Sequence, residues 1–271
     1  MPVTQAGGRR EWQLRDRRGQ ISLWLMWLVG TAVTVAAMEQ ISGETIWAFV
    51  WDAPEQAADL LTRMVPPRWS YLDRIWWPLW DTINIATLGT LFAIVLGTPL
   101  GFLAARNTTP SVAIVRPLAL LVIVSSRSIN SLIWALLLVA ILGPGVLAGI
   151  FAIALRSIGF VGKLLYEAIE EIDLAQVEAI DATGASPAQT LAYGIVPQIM
   201  PAFAGISVYR WDINIRESTV VGLVGAGGIG LQLQSSISTL AWPQVTVIFI
   251  AIFATVVASE WLSARIRHAI I

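Results

Sequence analysis

Long apolar runs separated by short polar stretches set the pattern of this chain. A helix needs roughly 20 consecutive apolar residues to cross the hydrocarbon core of a bilayer. The apolar runs therefore predict an all-α, polytopic membrane protein with six transmembrane helices. These predicted spans lie at 21–38, about 82–105, 117–142, 145–166, 200–224 and 242–264.

The polar stretches predict the domain organisation. Residues 1–20 form a basic tail with five arginines, which the positive-inside rule places in the cytoplasm. Residues 39–79 are rich in tryptophan and are predicted to form short interfacial helices on the opposite side. Residues 80–267 form the core, with five of the spans. Within it, 167–198 holds six acidic residues and is predicted to be a cytoplasmic loop. An even number of spans returns the C-terminus to the cytoplasm.

Composition supports a membrane protein and excludes several other classes. Hydrophobic residues make up 56% of the chain, charged residues 13%, and the mean hydropathy is +0.70. A soluble globule could not cover that much apolar surface with polar groups. Cysteine is absent and His268 is the one histidine, which excludes thiolate or histidine metal clusters and Ser-His-Asp catalysis. The net charge of −1 gives no basis for nucleic-acid binding.

Ionisable residues at the centres of three predicted spans form the candidate site. An arginine at mid-bilayer costs roughly 2.5–3.5 kcal/mol, so such residues face a bundle interior or a wet cavity and mark a pathway. Four arginines and two acids give this group a net charge of +2. The planar guanidinium matches the oxygens of phosphate-type anions. The predicted pathway residues are Arg127, Asn130, Arg156, Arg210, Asp212, Asn214, Arg216 and Glu217.

Two interpretations of these charges stay open at this point. Helical spacing puts Arg210, Asn214 and Glu217 on one face, and Asp212 and Arg216 on the adjacent face. In one interpretation the acids form structural ion pairs, Asp212 with Arg216 and Glu217 with another arginine. In the other, some of the arginines line the route of an anionic substrate.

A glycine-rich segment follows the fifth predicted span. Residues 225–230 fit the pattern G-x-G-x-x-G, which indicates dinucleotide binding only between a strand and a helix of a βαβ unit. At the end of a membrane span, these glycines instead predict a helix break that serves as a gate. The gate residues are Gly225, Gly227, Gly228 and Gly230. The chain has no phosphate-binding loop for ATP, so active transport needs an ion gradient or a partner ATPase.

The 167–198 loop resembles the EAA signature of ABC importer permeases. Glu178-Ala179 is followed by Gly184, and Pro197 comes thirteen residues after that glycine. In the family, this signature forms coupling helices that dock in a groove of the ATPase subunit. Two positions depart from it: Ile180 replaces the third residue of the motif, and Gly194 stands where the family has Ile or Val. The resemblance implies ATPase docking through Glu178, Ala179, Asp181, Ala182, Gly184 and Pro197.

Further motifs are similar to those of phosphonate-import permeases, and the resemblance covers roughly 60–267. They are Arg127–Ile129 with Trp134–Leu136, the segment Gly162–Asp173, and the run Tyr209–Thr219 leading into Gly222–Gly230. The resemblance implies a type I (MetI-like) permease subunit of the bacterial inner membrane, not an enzyme. It implies a second permease chain, two ATPase subunits that use ATP and Mg²⁺, and a periplasmic or lipid-anchored binding protein. The chain itself is expected to bind no cofactor or metal.

The sequence leaves three alternatives to a phosphonate importer. An ABC permease for phosphate, phosphite or an unrelated solute such as methionine shares most of these features. A secondary transporter driven by ions often shows internal repeats, and none relates 1–135 to 136–271. An intramembrane enzyme would need a base beside its nucleophile, and none is placed for the candidate serines. Those serines are Ser125, Ser126, Ser128 and Ser218.

Overall fold

The computed structural model describes residues 3–6, 9–12 and 17–270, in two compact units, 1–59 and 60–271. The first unit opens with a hairpin in which β1 (Val3–Ala6) pairs antiparallel with β2 (Arg9–Trp12). These strands lie within the predicted basic tail and were not indicated by the apolar pattern; the rest of that tail before residue 17 lies outside the described residues. Apart from this hairpin, the regular elements of the described ranges are helical, so the all-α prediction is confirmed.

The first span is longer than predicted, because the helix continues into polar residues on both sides of the apolar run 21–38. Helix α1 covers Arg17–Glu44 and none of its residues is buried. Helix α2 (Trp47–Met64) follows within the predicted interfacial segment. The exposed apolar surface of α1 is what a helix surrounded by lipid requires.

The second unit contains the packed helices. They are α3 (Leu72–Ala104), α4 (Val115–Ser128), α5 (Ser131–Leu142), α6 (Val146–Glu170), α7 (Leu174–Asp181), α8 (Pro187–Thr190), α9 (Val196–Gly222), α10 (Gly228–Ser238) and α11 (Trp242–Ile270). A 3₁₀ turn (Trp69–Tyr71) precedes α3, and one π-helical turn (Leu191–Ile195) joins α8 to α9.

Five helices in the described ranges are long and apolar enough to cross a membrane, and α4 with α5 adds a sixth span if counted as one. These two helices meet at 87°, so the predicted span 117–142 is broken within its polar stretch, residues 125–131. The break has a local cause: Ile129 and Asn130 have extended backbones, and Asn130 Oδ1 accepts a hydrogen bond from Leu132 N at 3.1 Å. Asn130 therefore starts a new helix instead of continuing the old one.

The segment predicted as the loop 167–198 is largely helical. Helix α6 continues to Glu170, and α8, the π turn and α9 follow one another from Pro187 onward. Proline is well tolerated in the first turn of a helix, so Pro187 and Pro197 accompany helix starts rather than a long loop.

Helices α3, α6 and α9 form the centre of the second unit. Glycines on one face of α3 allow the close approach of α6: a Cβ on Gly97 would lie 3.1 Å from the carbonyl oxygen of Ile158 and 3.2 Å from Val161 Cβ. Among the apolar helices, α6 is buried most completely. The polar side chains in the middle of α6 are therefore enclosed by neighbouring helices instead of lipid.

The glycine-rich segment joins α9 to α10. Gly225 and Gly227 have φ angles of +92° and +82°, in the left-handed region that favours glycine. Gly145 N donates to Gly225 O at 3.0 Å, and Ile229 N donates to Thr82 Oγ1 at 2.8 Å. The chain thus breaks between Gly222 and Gly228, where the sequence indicated a break, and the gating role of the glycines stays a prediction.

Candidate functional site

An ion-pair cluster lies between the centres of α6 and α9. Arg156 Nη1 is 2.5 Å from Glu217 Oε1, and Arg210 Nη2 is 3.4 Å from both carboxylate oxygens of Glu217. Arg210 and Glu217 lie seven residues apart on one face of α9, and that face is turned toward α6. The Glu217 carboxylate therefore forms ion pairs with two guanidinium groups.

Phe160 is the common neighbour of three arginines. The guanidinium carbons of Arg210, Arg156 and Arg127 lie 4.5, 5.5 and 5.8 Å from the centre of its ring. The negative face of an aromatic ring attracts cations at such distances. Phe160 lies one helical turn after Arg156 on α6, so it helps to hold three like charges together.

A chain of hydrogen bonds fixes Arg210 in the helix core. Its Nε donates to Ser157 Oγ at 3.0 Å, and Ser157 Oγ donates to Asn214 Oδ1 at 3.2 Å. Asn214 Nδ2 in turn donates to Thr90 Oγ1 on α3 at 2.8 Å. The Arg210 side chain is 5% exposed, against 22% for Arg156. Arg210 is thus a fixed part of the core, whereas Arg156 borders accessible space.

Arg127 is the cation of this cluster that has no acidic partner. It lies at the end of α4, beside the break before α5, and forms no ion pair within the described part of the chain. Helix α4 reaches α6 through Ser126, whose Oγ accepts from Gly159 N at 2.9 Å. The α4–α5 break also contributes Ser131, whose Oγ is 3.4 Å from Arg156 Nη1.

Asn130 does not join the cluster directly. Its side chain caps α5, and Ser131 Oγ, which lies 3.3 Å from Asn130 Oδ1, connects it to Arg156. The structure thus gives Asn130 a role in shaping the break. Its place on the substrate route stays a prediction.

Asp212 and Arg216 form a separate pair on the side of α9 that faces α11. Arg216 Nη2 lies 2.5 Å from Asp212 Oδ2, and Ser259 Oγ on α11 donates to Asp212 Oδ1 at 2.8 Å. Both ion pairs of the first interpretation are therefore present. These pairs do not neutralise the arginines. The cluster keeps a net charge of +2, from Arg127, Arg156 and Arg210 together with Glu217.

The predicted docking loop, 167–198, contains two short helices, α7 and α8, which are linked by a hydrogen bond. Asp173 caps α7, accepting from Ala175 N at 3.0 Å, and the α7 residues Glu178 and Ala179 are exposed. Gly184, at φ +80°, makes the turn that follows Ala182. Asp181 accepts a hydrogen bond from the buried Thr190 hydroxyl, which links α7 to α8.

The two residues that depart from the EAA pattern meet in space. Gly194 is buried in the π turn, and a Cβ on it would lie 3.4 Å from Ile180 Cδ1 and 3.5 Å from Val177 Cα. A large residue at 180 thus packs where a larger residue at 194 would otherwise fit. Pro197 lies just beyond, in the first turn of α9.

Sequence reasoning missed several residues of the site. A phenylalanine, a serine or a threonine inside an apolar helix is normally interpreted as an ordinary packing residue. The spacing of four residues from Arg156 to Phe160 does indicate that the two side chains lie on one face of α6. Contacts between distant helices carry no such signal. The missed residues are Thr90, Ser131, Ser157, Phe160, Thr190 and Ser259.

Comparison with known proteins identifies the family. Residues 97–268 match the family described as binding-protein-dependent transport system inner membrane component. The chain belongs to this family. The permease is thus a multi-pass membrane component of a transport system rather than an enzyme, as predicted.

Relatives agree with this assignment. The permease is 40% identical over 210 residues to the phosphite transport system permease protein PtxC of Stutzerimonas stutzeri, covering 78% of this chain and 76% of that one. It is 42% identical over 217 residues to the phosphate-import permease protein PhnE of Mycolicibacterium smegmatis, covering 80% of this chain and 41% of that longer relative. An inward-facing structure of the MetNI methionine ABC transporter matches 73% of this chain and 96% of its own, with a TM-score of 0.64 and 20% identity, which shows the MetI-like fold alone.

Proposed function

We propose that the permease carries a phosphorus oxyanion (phosphonate, phosphite or phosphate) into the cell, as the membrane subunit of an ATP-driven importer. The observation that carries this proposal is the +2 cluster at the centre of the helix core, with Arg127 left without an acid. Uncompensated guanidinium groups at mid-membrane are costly unless an anion meets them. Their planar forks match the tetrahedral oxygens of a phosphorus oxyanion.

The relatives support the same chemical class. The relatives at 40% and 42% identity are named as phosphite and phosphate transport permeases, respectively. The likeness to the methionine transporter is one of fold at 20% identity and says nothing of substrate. Methionine therefore remains a comparison compound for the experiment below rather than a second candidate.

The proposed route passes the α4–α5 break. Arg127 lies at the end of α4, and Arg156 of α6 contacts Ser131 at the start of α5, so both lie beside the break and are proposed to meet the substrate. Arg210 and Asn214 support them from the core, and Asn130 shapes the break. Asp212 and Arg216 lie on the other side of α9 and are proposed to hold α11 rather than to contact the substrate. The glycines between α9 and α10 are proposed to let the outer end of the route open and close.

Partners follow from the absence of an ATP site and from the exposed docking loop. The assembly is proposed to contain a second copy of the permease, two ATPase subunits docked on α7 and α8, and a binding protein on the outer face. Both termini and the docking loop are proposed to lie in the cytoplasm; the arginines before and at the start of α1, and those near the end of α11, support this orientation. Labelling an Ala182→Cys variant tests this orientation: the loop should react from the cytoplasmic side only, and reaction from outside would invert it.

The direct test is ATP hydrolysis by the reconstituted complex of permease, ATPase and binding protein. Methylphosphonate, 2-aminoethylphosphonate, phosphite, phosphate and methionine are compared in proteoliposomes. Stimulation by one of the phosphorus oxyanions is expected. Stimulation by methionine alone, with all four oxyanions inactive, would overturn the proposed substrate class.

A further inference from the structure

We propose that Glu217 is a built-in counter-anion of the arginine cluster. It releases Arg156 when a doubly charged substrate binds there, and it keeps its contact with Arg210. This inference rests on the proposed function and adds the charge of the substrate and the residue that sets it. The juxtaposition behind it is one carboxylate shared by two arginines, with a third arginine nearby that has none.

Glu217 divides its contacts unequally between two arginines. It makes one short contact to Arg156, at 2.5 Å, and two longer ones to Arg210, at 3.4 Å each. Arg210 is held in place by Ser157, so Glu217 can keep that partner when it releases the other. Arg156 is the more exposed of the two arginines and is therefore the one a substrate reaches first.

Arg156 has donor capacity that the resting structure does not use. Its Nε is buried and has no hydrogen-bond partner within the described residues, while its Nη1 serves both Glu217 and Ser131. A buried guanidinium nitrogen without an acceptor costs free energy. Once Glu217 releases Arg156, an oxyanion beside Arg127 would supply that acceptor and could bind the fork through two oxygens.

Charge arithmetic selects the dianion. Arg127, Arg156 and Arg210 carry three positive charges, and Glu217 carries one negative charge. A substrate of charge −2 brings this sum to zero, whereas a monoanion leaves one buried positive charge uncompensated. Glu217 thereby sets the affinity of the site for its anion. With the Glu217 carboxylate present, the bound dianion is neutralised and can dissociate. Without it, the occupied site keeps one surplus positive charge, which holds the anion more tightly.

Asp212 is the internal comparison. It is an acid on the same helix, buried and paired with one arginine, but its second oxygen is satisfied by Ser259 and it faces α11. No hydrogen bond or ion pair joins it to Arg127, Arg156 or Arg210. Replacing Asp212 by Asn removes one negative charge from α9, as Glu217→Gln does, but at a site away from the cluster.

The experiment measures equilibrium binding of radiolabelled phosphite to the permease–ATPase complex in nanodiscs, without the binding protein. Glu217→Gln should bind phosphite about tenfold more tightly than wild type, since a close competing charge is gone. Its maximal uptake rate with binding protein present should fall, because release slows. The matched control Asp212→Asn should bind phosphite as wild type does. Unchanged or weaker binding by Glu217→Gln would overturn the inference.

A second variant covers the case in which Glu217→Gln does not fold. Glu217→Asp keeps the charge but shortens the reach to Arg156, so binding should tighten by a smaller factor, about threefold; binding equal to wild type would contradict the exchange. Different results would contradict the proposed function and the exchange by Glu217. If the wild type imports none of the four phosphorus oxyanions, the proposed function is wrong, whatever the ratio of binding affinities. If uptake is normal and every Glu217 variant binds phosphite as the wild type does, only the exchange is wrong.

Discussion

Arg156 of α6 and Glu217 of α9 form an ion pair in the middle of the helix core, with 2.5 Å between Nη1 and Oε1. The two residues are 61 positions apart in the chain. Their contact joins the two helices at the depth where Arg127 and the α4–α5 break also lie. This pair is thus one of the links between the helix that leads into the predicted docking loop and the helix that leads out of it.

The hydrogen-bond chain behind Arg210 predicts a measurable stability difference. Thr90→Val removes the acceptor of Asn214 Nδ2, a fully buried donor, and should cost about 1–3 kcal/mol in unfolding free energy. The matched control is Thr98→Val on the same helix, because the Thr98 hydroxyl bonds only its own helix at Ile94 O. Thermal unfolding of the detergent-purified protein should give a lower midpoint for Thr90→Val than for Thr98→Val. Equal midpoints would contradict the stabilising role of the hydrogen-bond chain.

Prediction from sequence succeeded where the physics is local. Apolar run length gave the membrane helices, and the spacing 210, 214, 217 put the correct residues on the face that meets α6. The bend between α4 and α5 was missed because it depends on the capping geometry of Asn130, which an apolar average over 117–142 conceals. Phe160 was missed because its role exists only once three helices bring arginines to its ring.

The glycine break predicts a steric effect at Gly222. A Cβ there would lie 2.5 Å from Gly227 O and 2.8 Å from Gly230 Cα, so Gly222→Ala must displace backbone. We expect a large fall in the yield of folded protein and in its melting temperature. Gly205→Ala, on the same helix with nothing within 4 Å, should be neutral or stabilising by up to about 1 kcal/mol. Equal melting temperatures for the two variants would contradict the tight α9–α10 junction.

The contact between Ile180 and Gly194 predicts coupling between the two positions. Gly194→Val should overpack the π turn against α7 and cost about 1–3 kcal/mol in unfolding free energy. Adding Ile180→Ala removes the side chain it meets, so the double variant should recover part of that loss. A double-mutant cycle by thermal unfolding measures the coupling. Strictly additive effects on the unfolding free energy would show that the side chains at positions 180 and 194 do not compete for the same space.

The predicted docking loop should show a functional effect of mutation without a stability effect. Glu178 is exposed on α7, so Glu178→Lys should leave folding intact but weaken ATPase docking. Loaded binding protein should then no longer stimulate ATP hydrolysis in the reconstituted complex. Glu171→Lys, an exposed acid at the end of α6, is the control with the same charge change outside α7 and α8. Wild-type stimulation in Glu178→Lys would argue against docking at this surface.

Uptake of labelled phosphite by an Arg127→Gln variant tests most directly whether the arginine cluster carries the substrate. Arg127 has no acid to leave unpaired, so its removal should lower uptake about tenfold or more at equal amounts of assembled complex. Arg265→Gln, which removes an arginine stacked on Trp261 at the end of α11, should import phosphite at the wild-type rate. Wild-type uptake by Arg127→Gln would contradict the anion route.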